Sequence, residues 1–396
     1  MALAARPGAA PPGAPLPRAR PGLRRRRAGL APRGPRAALV SAPRVTVVSA
    51  VHRPGAHLPA FLARLDGCLA EGAQVVVVDD ASGDGTGEAL VTWAASRPSA
   101  VVVVADENAG VARSRNRALR HAVGDFVWFV DHDDEWEDDA LAVLTAATGD
   151  DDGDPVDVVW CRADHRRAAG VPGKVVDGLV ERRTVTGDVA LALLLDRQVD
   201  GFLWSKLLRR RLLGDAPFPE LTSQSDVAGA AAVLARASRV RFVPEVLYHW
   251  THRPGSITRV STPRLANLER AHDLVLAAAG ARGGAAADER VRQRFTTTFL
   301  CLALVALPVR LGAPAAVRRD GLRRARRALG GVDLGAVRRR DPLAWGVLRG
   351  ALVAPAATTA ALRVLYAAHD ARGRARLRSG LRRGPAAPAR RAVHPG

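Results

Sequence analysis

Only two of the 59 basic residues are lysines, Lys174 and Lys206; the rest are arginine. That scarcity, beside abundant Ala, Arg, Gly and Pro, marks a GC-rich coding bias, so a basic stretch here need not report a ligand. Cysteine is almost as scarce: Cys68, Cys161 and Cys301 lie far apart and in no CxxC or Cys/His spacing. This argues against a disulfide framework and a structural zinc site, and fits a reducing cytoplasm. No run of 18 or more uninterrupted apolar residues occurs. The apolar stretch 299–309 ends at Arg310, and 343–368 is broken by Arg349, Pro355 and Arg363. Neither is expected to span a bilayer, although a helix made from either can lie on a membrane surface or in a core. Residues 1–42 lack the apolar segment of a secretory signal.

Acids are missing from both ends. Residues 1–43 hold nine arginines and 371–396 hold eight, with no Asp or Glu in either. Between them 42 basic face 39 acidic residues, so the formal net charge of +20 arises mostly in the tails. Such tails suit anionic lipid or nucleic acid, but the coding bias yields them without a partner, and no nucleic-acid partner is expected. Residues 1–43 and 371–396 are expected to be disordered. The length allows one or two domains.

Positive charge is missing where acids are densest. Residues 121–161 carry thirteen acids and no Lys or Arg. At their centre, Phe126-Val-Trp-Phe-Val130 runs into Asp131-His-Asp-Asp134. A short, continuously apolar run predicts a strand buried on both faces, and acids just past its C-terminal end lie where open α/β sheets bind ligands. Three aspartates within four residues repel one another unless a cation lies between them, and a divalent metal with oxygen ligands supplies one. The competing reading is an acid-rich helix start, since Glu137-Asp138-Asp139 follow.

The segment before it alternates. Strands are predicted at 45–50, 74–78 and 101–104, and helices at 58–69, 88–95 and 111–123, the last closed by Gly124. This β-α-β-α-β-α-β order implies an α/β fold with a mainly parallel sheet flanked by helices. Asp79-Asp80 also follows a strand end, so both acidic groups are expected on one edge of one sheet.

Four fragments in order resemble family 2 glycosyltransferases: 45–49, then Val75-Val-Val-Val-Asp-Asp-Ala-Ser-Gly-Asp-Gly-Thr86, then Asn108-Ala-Gly-Val-Ala-Arg-Ser-Arg-Asn116, then 124–136. The resemblance is close over 44–145 and weaker to about residue 260. It implies the GT-A nucleotide-diphospho-sugar transferase fold over 44–260, followed by a helical C-terminal region over 261–370. It implies that Asp80 accepts a hydrogen bond from uracil, which suits an acceptor-only carboxylate; a cap on the Gly83–Gly85 turn is the other reading. Ser49 is implied at the base, and Arg113 and Arg115 at the diphosphate, one of them alternatively pairing with the acidic edge. Asp131 and Asp133 are implied near the ribose, with Asp133 and Asp134 holding Mg²⁺ or Mn²⁺. Val51-His52 stands where the family commonly has Tyr-Asn, and Ala81 where it usually has glycine.

Further along, Gly201-Phe-Leu-Trp-Ser-Lys-Leu-Leu208 resembles a W-x-K-L element of family members that build bacterial surface polysaccharides. Trp204 and Lys206 are implied at the acceptor, with Trp204 equally readable as core. Asp226 matches the family's aspartate opening a helix and is implied as general base; a helix N-cap is its other reading. His249 to Thr258 resembles the family's closing loop, which implies Arg253 and Ser256 at the diphosphate and His249 or His252 as a less favoured further ligand. Residues 162–183 read as a flap.

The expected function is metal-dependent, inverting transfer of a sugar from a nucleoside-diphosphate sugar, a UDP-sugar first, to a glycan or lipid-linked acceptor of the cell envelope. Such an enzyme is expected in the cytoplasm or peripherally at the inner face of the plasma membrane. The rival is a catalytically degenerate GT-A domain that binds anions or membrane through its basic tails.

Overall fold

The structure is a computed structural model, and it describes residues 43–149, 155–166, 173–251 and 263–381. Its first half runs β1 (Val45–Val51), α1 (Leu58–Ala70), β2 (Gln74–Asp79), α2 (Thr86–Ala94), β3 (Ala100–Val104), α3 (Val111–Leu119) and β4 (Phe126–Phe129). Then come β5 (Glu135–Trp136), α4 (Ala140–Ala146), β6 (Val158–Arg166), β7 (Lys174–Asp177), β8 (Arg183–Thr186), α5 (Gly187–Leu195) and β9 (Lys206–Arg209). The domain closes with α6 (Ser225–Arg236) and β10 (Arg239–Thr251). The predicted alternation is present, although α3 stops at Leu119. The expected flap instead supplies the end of β6 and all of β7.

One sheet runs β3-β2-β1-β4-β9-β6-β10-β5, with β7 on β6 and β8 on β10. The pairs among β3, β2, β1 and β4 are parallel, as is β6 with β10, whereas β9 is antiparallel to both its neighbours. The period of two along each strand divides the core. Val48, Val76, Val127 and Phe129 face α3, α5 and α6, while Val47, Val75, Val77 and Trp128 face the α1, α2 and α4 side. The apolar runs are buried on both faces, as parallel strands covered by helices must be.

Beyond the sheet lie α7 (Leu265–Arg282), α8 (Glu289–Phe295), a π-helical turn at Thr296–Cys301, α9 (Leu302–Arg310) and α10 (Ala315–Leu329). They are followed by α11 (Leu334–Arg340), α12 (Pro342–Val353) and α13 (Pro355–Leu381). Ala271, Val275 and Ala279 of α7 and Phe295 of α8 belong to the sheet's own core, so residue 260 is not where the packing changes. A separate apolar cluster joins α9, α10, α12 and α13. Residues 371–381, expected to be disordered, belong to α13, which continues to Leu381. Residues 1–42 lie outside the described residues. The three cysteines are free and buried, and burial pushes each thiol up to about 12.

A buried polar hub ties the β6–β7–β9 end together. Asp177 accepts from the Trp160 indole (3.1 Å), the Ser205 hydroxyl (2.6 Å) and the Lys206 ammonium (3.3 Å). Lys206 is completely buried, lies 3.7 Å from the Trp160 ring centre, and also donates to the carbonyls of Asp200 and Phe202. It therefore does not reach an acceptor, contrary to expectation; burial lowers its pKa against the opposing charge of Asp177. Removing one partner of a buried pair leaves the other uncompensated, so Lys206→Met is expected to cost about 3–5 kcal/mol in thermal or urea unfolding. An unchanged melting temperature would remove the hub from the fold's stability. Ala81 adopts φ 55°, the left-handed region where a Cβ is unfavourable. Ala81→Gly is expected to stabilise by roughly 0.5–1 kcal/mol, and a lowered melting temperature would contradict this.

Candidate active site

The acidic segments meet at the C-terminal edge of β1, β2 and β4. After β2, Asp80 is buried, and its carboxylate accepts from the backbone N–H of Ala109 (2.9 Å) and Gly110 (2.8 Å) and from the Ser114 hydroxyl (2.9 Å). Gly110 has φ 85°, which presents its N–H to Asp80 and starts α3. With three donors on two oxygens, Asp80 organises the 108–114 segment. Among the described residues no hydrogen bond joins the Asp80 side chain to the Gly83–Gly85 turn, so the expected cap gives way to this role, while a carboxylate with three donors retains accepting capacity. Asp79 accepts from Ser82, and Asp84 from Thr86. The substitution at His52 has a counterpart here: its Nδ1 lies 3.0 Å from the Asp80 carbonyl and 3.2 Å from the Asn108 side chain.

From the segment so anchored, α3 presents Arg115, whose guanidinium pairs with Asp131 at 2.8 Å. Arg115 is largely buried, so this ion pair is screened less than a surface one. Arg113 instead pairs with Glu220 at 2.9 Å on the surface, away from the acidic edge. Asn116 exchanges hydrogen bonds with the backbone of Phe218, fixing the loop that leads into α6. At the start of α6, Gln224 is the cap residue with φ 67°, a strained value for a side chain larger than glycine. Asp226 is thus inside the first turn and is not the cap. Burial raises its pKa, the charge of Arg115 opposes the rise, and Asp131 adds to it. Arg115, Asp131 and Asp226 therefore form one electrostatic group drawn from α3, the β4 end and α6.

Asp134 turns inward. Its Oδ2 accepts from the Tyr248 hydroxyl (3.0 Å) and its Oδ1 from the Thr251 N–H (3.0 Å), while the Asp131 N–H donates to the same tyrosine oxygen (3.0 Å). Burial pushes the Asp134 carboxyl well above the usual range, with Asp131 and Glu135 adding to the rise. The phenol of Tyr248 is likewise raised by burial and then by Asp134. Expected as the direct metal ligand, Asp134 is instead the residue that fixes the loop. Asp133 and Asp131 remain half-exposed at the rim. Among the described residues no three His, Cys, Asp or Glu side chains come together as ligands. A magnesium ion on a nucleotide needs only one or two carboxylates, because phosphates and water supply the rest. Asp133, with Asp131 beside it, fits that lesser demand.

Tyr248 is itself held by aromatics. Trp204 stacks on Phe202 and on Tyr248, with centroids 4.6 and 4.7 Å apart, and Trp136 lies near-parallel beyond Tyr248. Trp128 meets Trp136 and Tyr248 edge-on and donates its indole N–H to the Trp204 carbonyl (2.8 Å). With 5% of its surface exposed, Trp204 is core and offers no stacking face to a sugar, so its expected acceptor role gives way. Ser49 is 1% exposed, and its hydroxyl has no partner among the described residues. His249 is held between Asp164 and Glu137 at 2.8 Å each, beside Arg166, which occupies the place a cation would need. His252, Arg253 and Ser256 lie outside the described residues.

Residues 58–188 match the family model described as Glycosyl transferase family 2. The chain carries a family 2 glycosyltransferase domain. Two proteins of Bacillus subtilis (strain 168) are similar to it. EpsH, provisionally named a glycosyltransferase, is 25% identical over 224 residues, covering 55% of this chain and 63% of its own length. TuaG, provisionally named for teichuronic acid biosynthesis, is 41% identical over 68 residues, covering 17% of this chain and 27% of its own. The chain thus spans less than two thirds of either relative. Among solved structures, S. aureus TarS 1-349 in complex with UDP-GlcNAc superposes with a TM-score of 0.59 at 22% identity. It covers 82% of this chain and 92% of its own, a likeness of fold.

The residue that sequence reasoning missed is Tyr248 of β10, which joins Asp131 to Asp134. One signal was available: with two tyrosines in the chain, one in a buried strand must find a partner for its hydroxyl. Tyr248→Phe leaves the Asp131 N–H and one Asp134 oxygen unpaired, and is expected to cost about 1–3 kcal/mol of stability. The same variant should lower donor turnover by loosening the Asp131–Asp134 loop. Unchanged melting temperature and unchanged turnover together would show that the hydroxyl does not hold the loop.

Proposed function

We propose that the chain transfers a sugar from a nucleoside-diphosphate sugar to a hydroxyl acceptor, with inversion at the anomeric carbon. The observation that carries the reading is the convergence of Arg115, Asp131 and Asp226 from three separate elements on the edge of the sheet that bears Asp133. In this reading Asp133 and Asp131 face the donor's ribose and diphosphate, and Asp133 would hold Mg²⁺ or Mn²⁺. The ion, when bound, offsets charge that develops on the departing nucleoside diphosphate. Arg115 pairs with Asp131, which orients it at the rim and limits repulsion within the acidic edge. Asp134 and Tyr248 hold the loop backbone in place behind them.

Asp226 acts as general base. It takes the proton from the acceptor hydroxyl as that oxygen attacks the anomeric carbon and the bond to the diphosphate oxygen breaks. A carboxylate whose pKa burial has raised is a stronger base than an exposed one, and the charge of Arg115 opposes the rise. Uracil is the first base to test, and the acceptor is a glycan or lipid-linked molecule of the cell envelope, in keeping with the teichuronic acid biosynthesis named for the similar TuaG. No described helix is long and apolar enough to cross a membrane. The reading places the enzyme in the cytoplasm, with peripheral contact at the inner face of the plasma membrane.

The test is a panel of nucleotide sugars with Mn²⁺, read by release of nucleoside diphosphate. Asp226→Asn is expected to lower acceptor-dependent turnover by about 10²–10⁴-fold while leaving donor affinity near wild type. Since the active form is the carboxylate, wild-type turnover should fall as pH drops through the raised Asp226 pKa, above the ordinary carboxylate value of about 3.9. Full turnover in the Asn variant removes Asp226 as the base. Failure of every donor to bind removes the transferase reading itself.

A further inference from the structure

The last helix is apolar on the side that faces away from the protein. The inner stripe of α13 consists of buried Leu362 with Tyr366 and Thr358 half-buried, packed toward α9 and α12. Nine residues between 356 and 368 are exposed; eight are Ala, Val or Leu, and the ninth is Arg363. Val364 and Leu365 are 70% and 61% exposed. A surface helix normally turns charged and polar residues outward, and one that is apolar all round belongs in a core or against lipid. The neighbouring α12 repeats the pattern, with Leu343 83% and Val353 66% exposed and Arg349 as its exposed charge.

Charge identifies the occupant. Residues 315–381 hold fifteen arginines and four acids, whereas residues 44–314 hold 31 basic and 35 acidic residues. Within α13 itself, Arg372, Arg374, Arg376 and Arg378 follow the apolar half, with Asp370 as its one acid. An apolar face with arginines at its flank and end suits the boundary between headgroups and acyl chains of an anionic bilayer. A second copy of the chain would instead bring another surface of the same sign against it.

We propose that α13, with the exposed rim of α12, is the surface by which this protein docks on anionic phospholipid. Ala357, Ala360, Val364 and Leu365 enter the interface, and the exposed Arg349 and Arg363 pair with lipid phosphates. This gives a surface to the membrane contact proposed above, and it depends on neither the sugar nor the base. The experiment is co-sedimentation of the full-length protein with vesicles of phosphatidylcholine, alone or with about 30% phosphatidylglycerol. The protein should partition onto the anionic vesicles alone, less so at high salt. The double variant Val364→Glu/Leu365→Glu should partition at least about tenfold more weakly, with turnover in solution unchanged. Where that variant loses helicity by circular dichroism, Val364→Gln alone should weaken partition about threefold.

Equal partition of the wild type and the variants would overturn the proposal and assign binding to the basic ends of the chain. Absence of wild-type binding would also overturn it. So would a dimer, seen by light scattering, that the double variant abolishes, since a second copy would then be the occupant. Absence of turnover with every donor, beside wild-type partition that the variants weaken, would count against the transferase reading and leave this one standing.

Discussion

The site depends on how one guanidinium is shared. The acidic edge carries Asp131, Asp133 and Asp134 from the end of β4 and receives Asp226 from α6. Carboxylates so close raise one another's pKa, as Asp131 does for both Asp134 and Asp226. Arg115 is the counterweight: it pairs with Asp131 and its charge opposes the rise at Asp226. It is delivered by α3, whose start is fixed by Asp80 through Ala109, Gly110 and Ser114. The two aspartate groups are therefore linked, but through a helix and an arginine, not through a shared ligand.

The carboxylates differ in what occupies their oxygens. Those of Asp80, Asp134, Asp157 and Asp177 are engaged by backbone N–H groups, hydroxyls or cations of the protein. Burying a charged group without such partners costs several kcal/mol, so these pairings are conditions for the fold. Among the described residues Asp226 accepts only the N–H of its own neighbour, Val227, while burial still raises its pKa. A carboxylate with spare accepting capacity and a raised pKa has the properties of a base, whereas one saturated by fixed donors does not.

Charge is also divided along the chain. The part that holds the acidic site is slightly negative, and the helices from α10 onward are strongly positive. A negative site that received a diphosphate, as proposed, would need a cation from outside the chain. A positive helical end with an uncovered apolar face is drawn to an anionic surface. The two properties sit in different elements, so the chemistry and the docking can be separated by substitution.

The alternation of strands and helices in the first half, the acidic edge of a mainly parallel sheet and the family resemblance were legible in the sequence. Each rests on local pattern: buried parallel strands read as apolar runs, and acids at their ends mark one edge. The roles of Asp80, Asp134, Trp204 and Lys206 were not legible, because an aspartate that binds a ligand and one that anchors a loop have the same side chain. The difference lies in which donors arrive from elsewhere. The N–H groups of Ala109 and Gly110, the hydroxyl of Tyr248 and the carboxylate of Asp177 come from distant segments, and only folding brings them near. The sequence by itself determined the sheet and its acidic edge through the period and composition of its runs. Tertiary structure alone decided which acids are saturated by the protein and which face outward, since that depends on long-range contacts that no local pattern encodes.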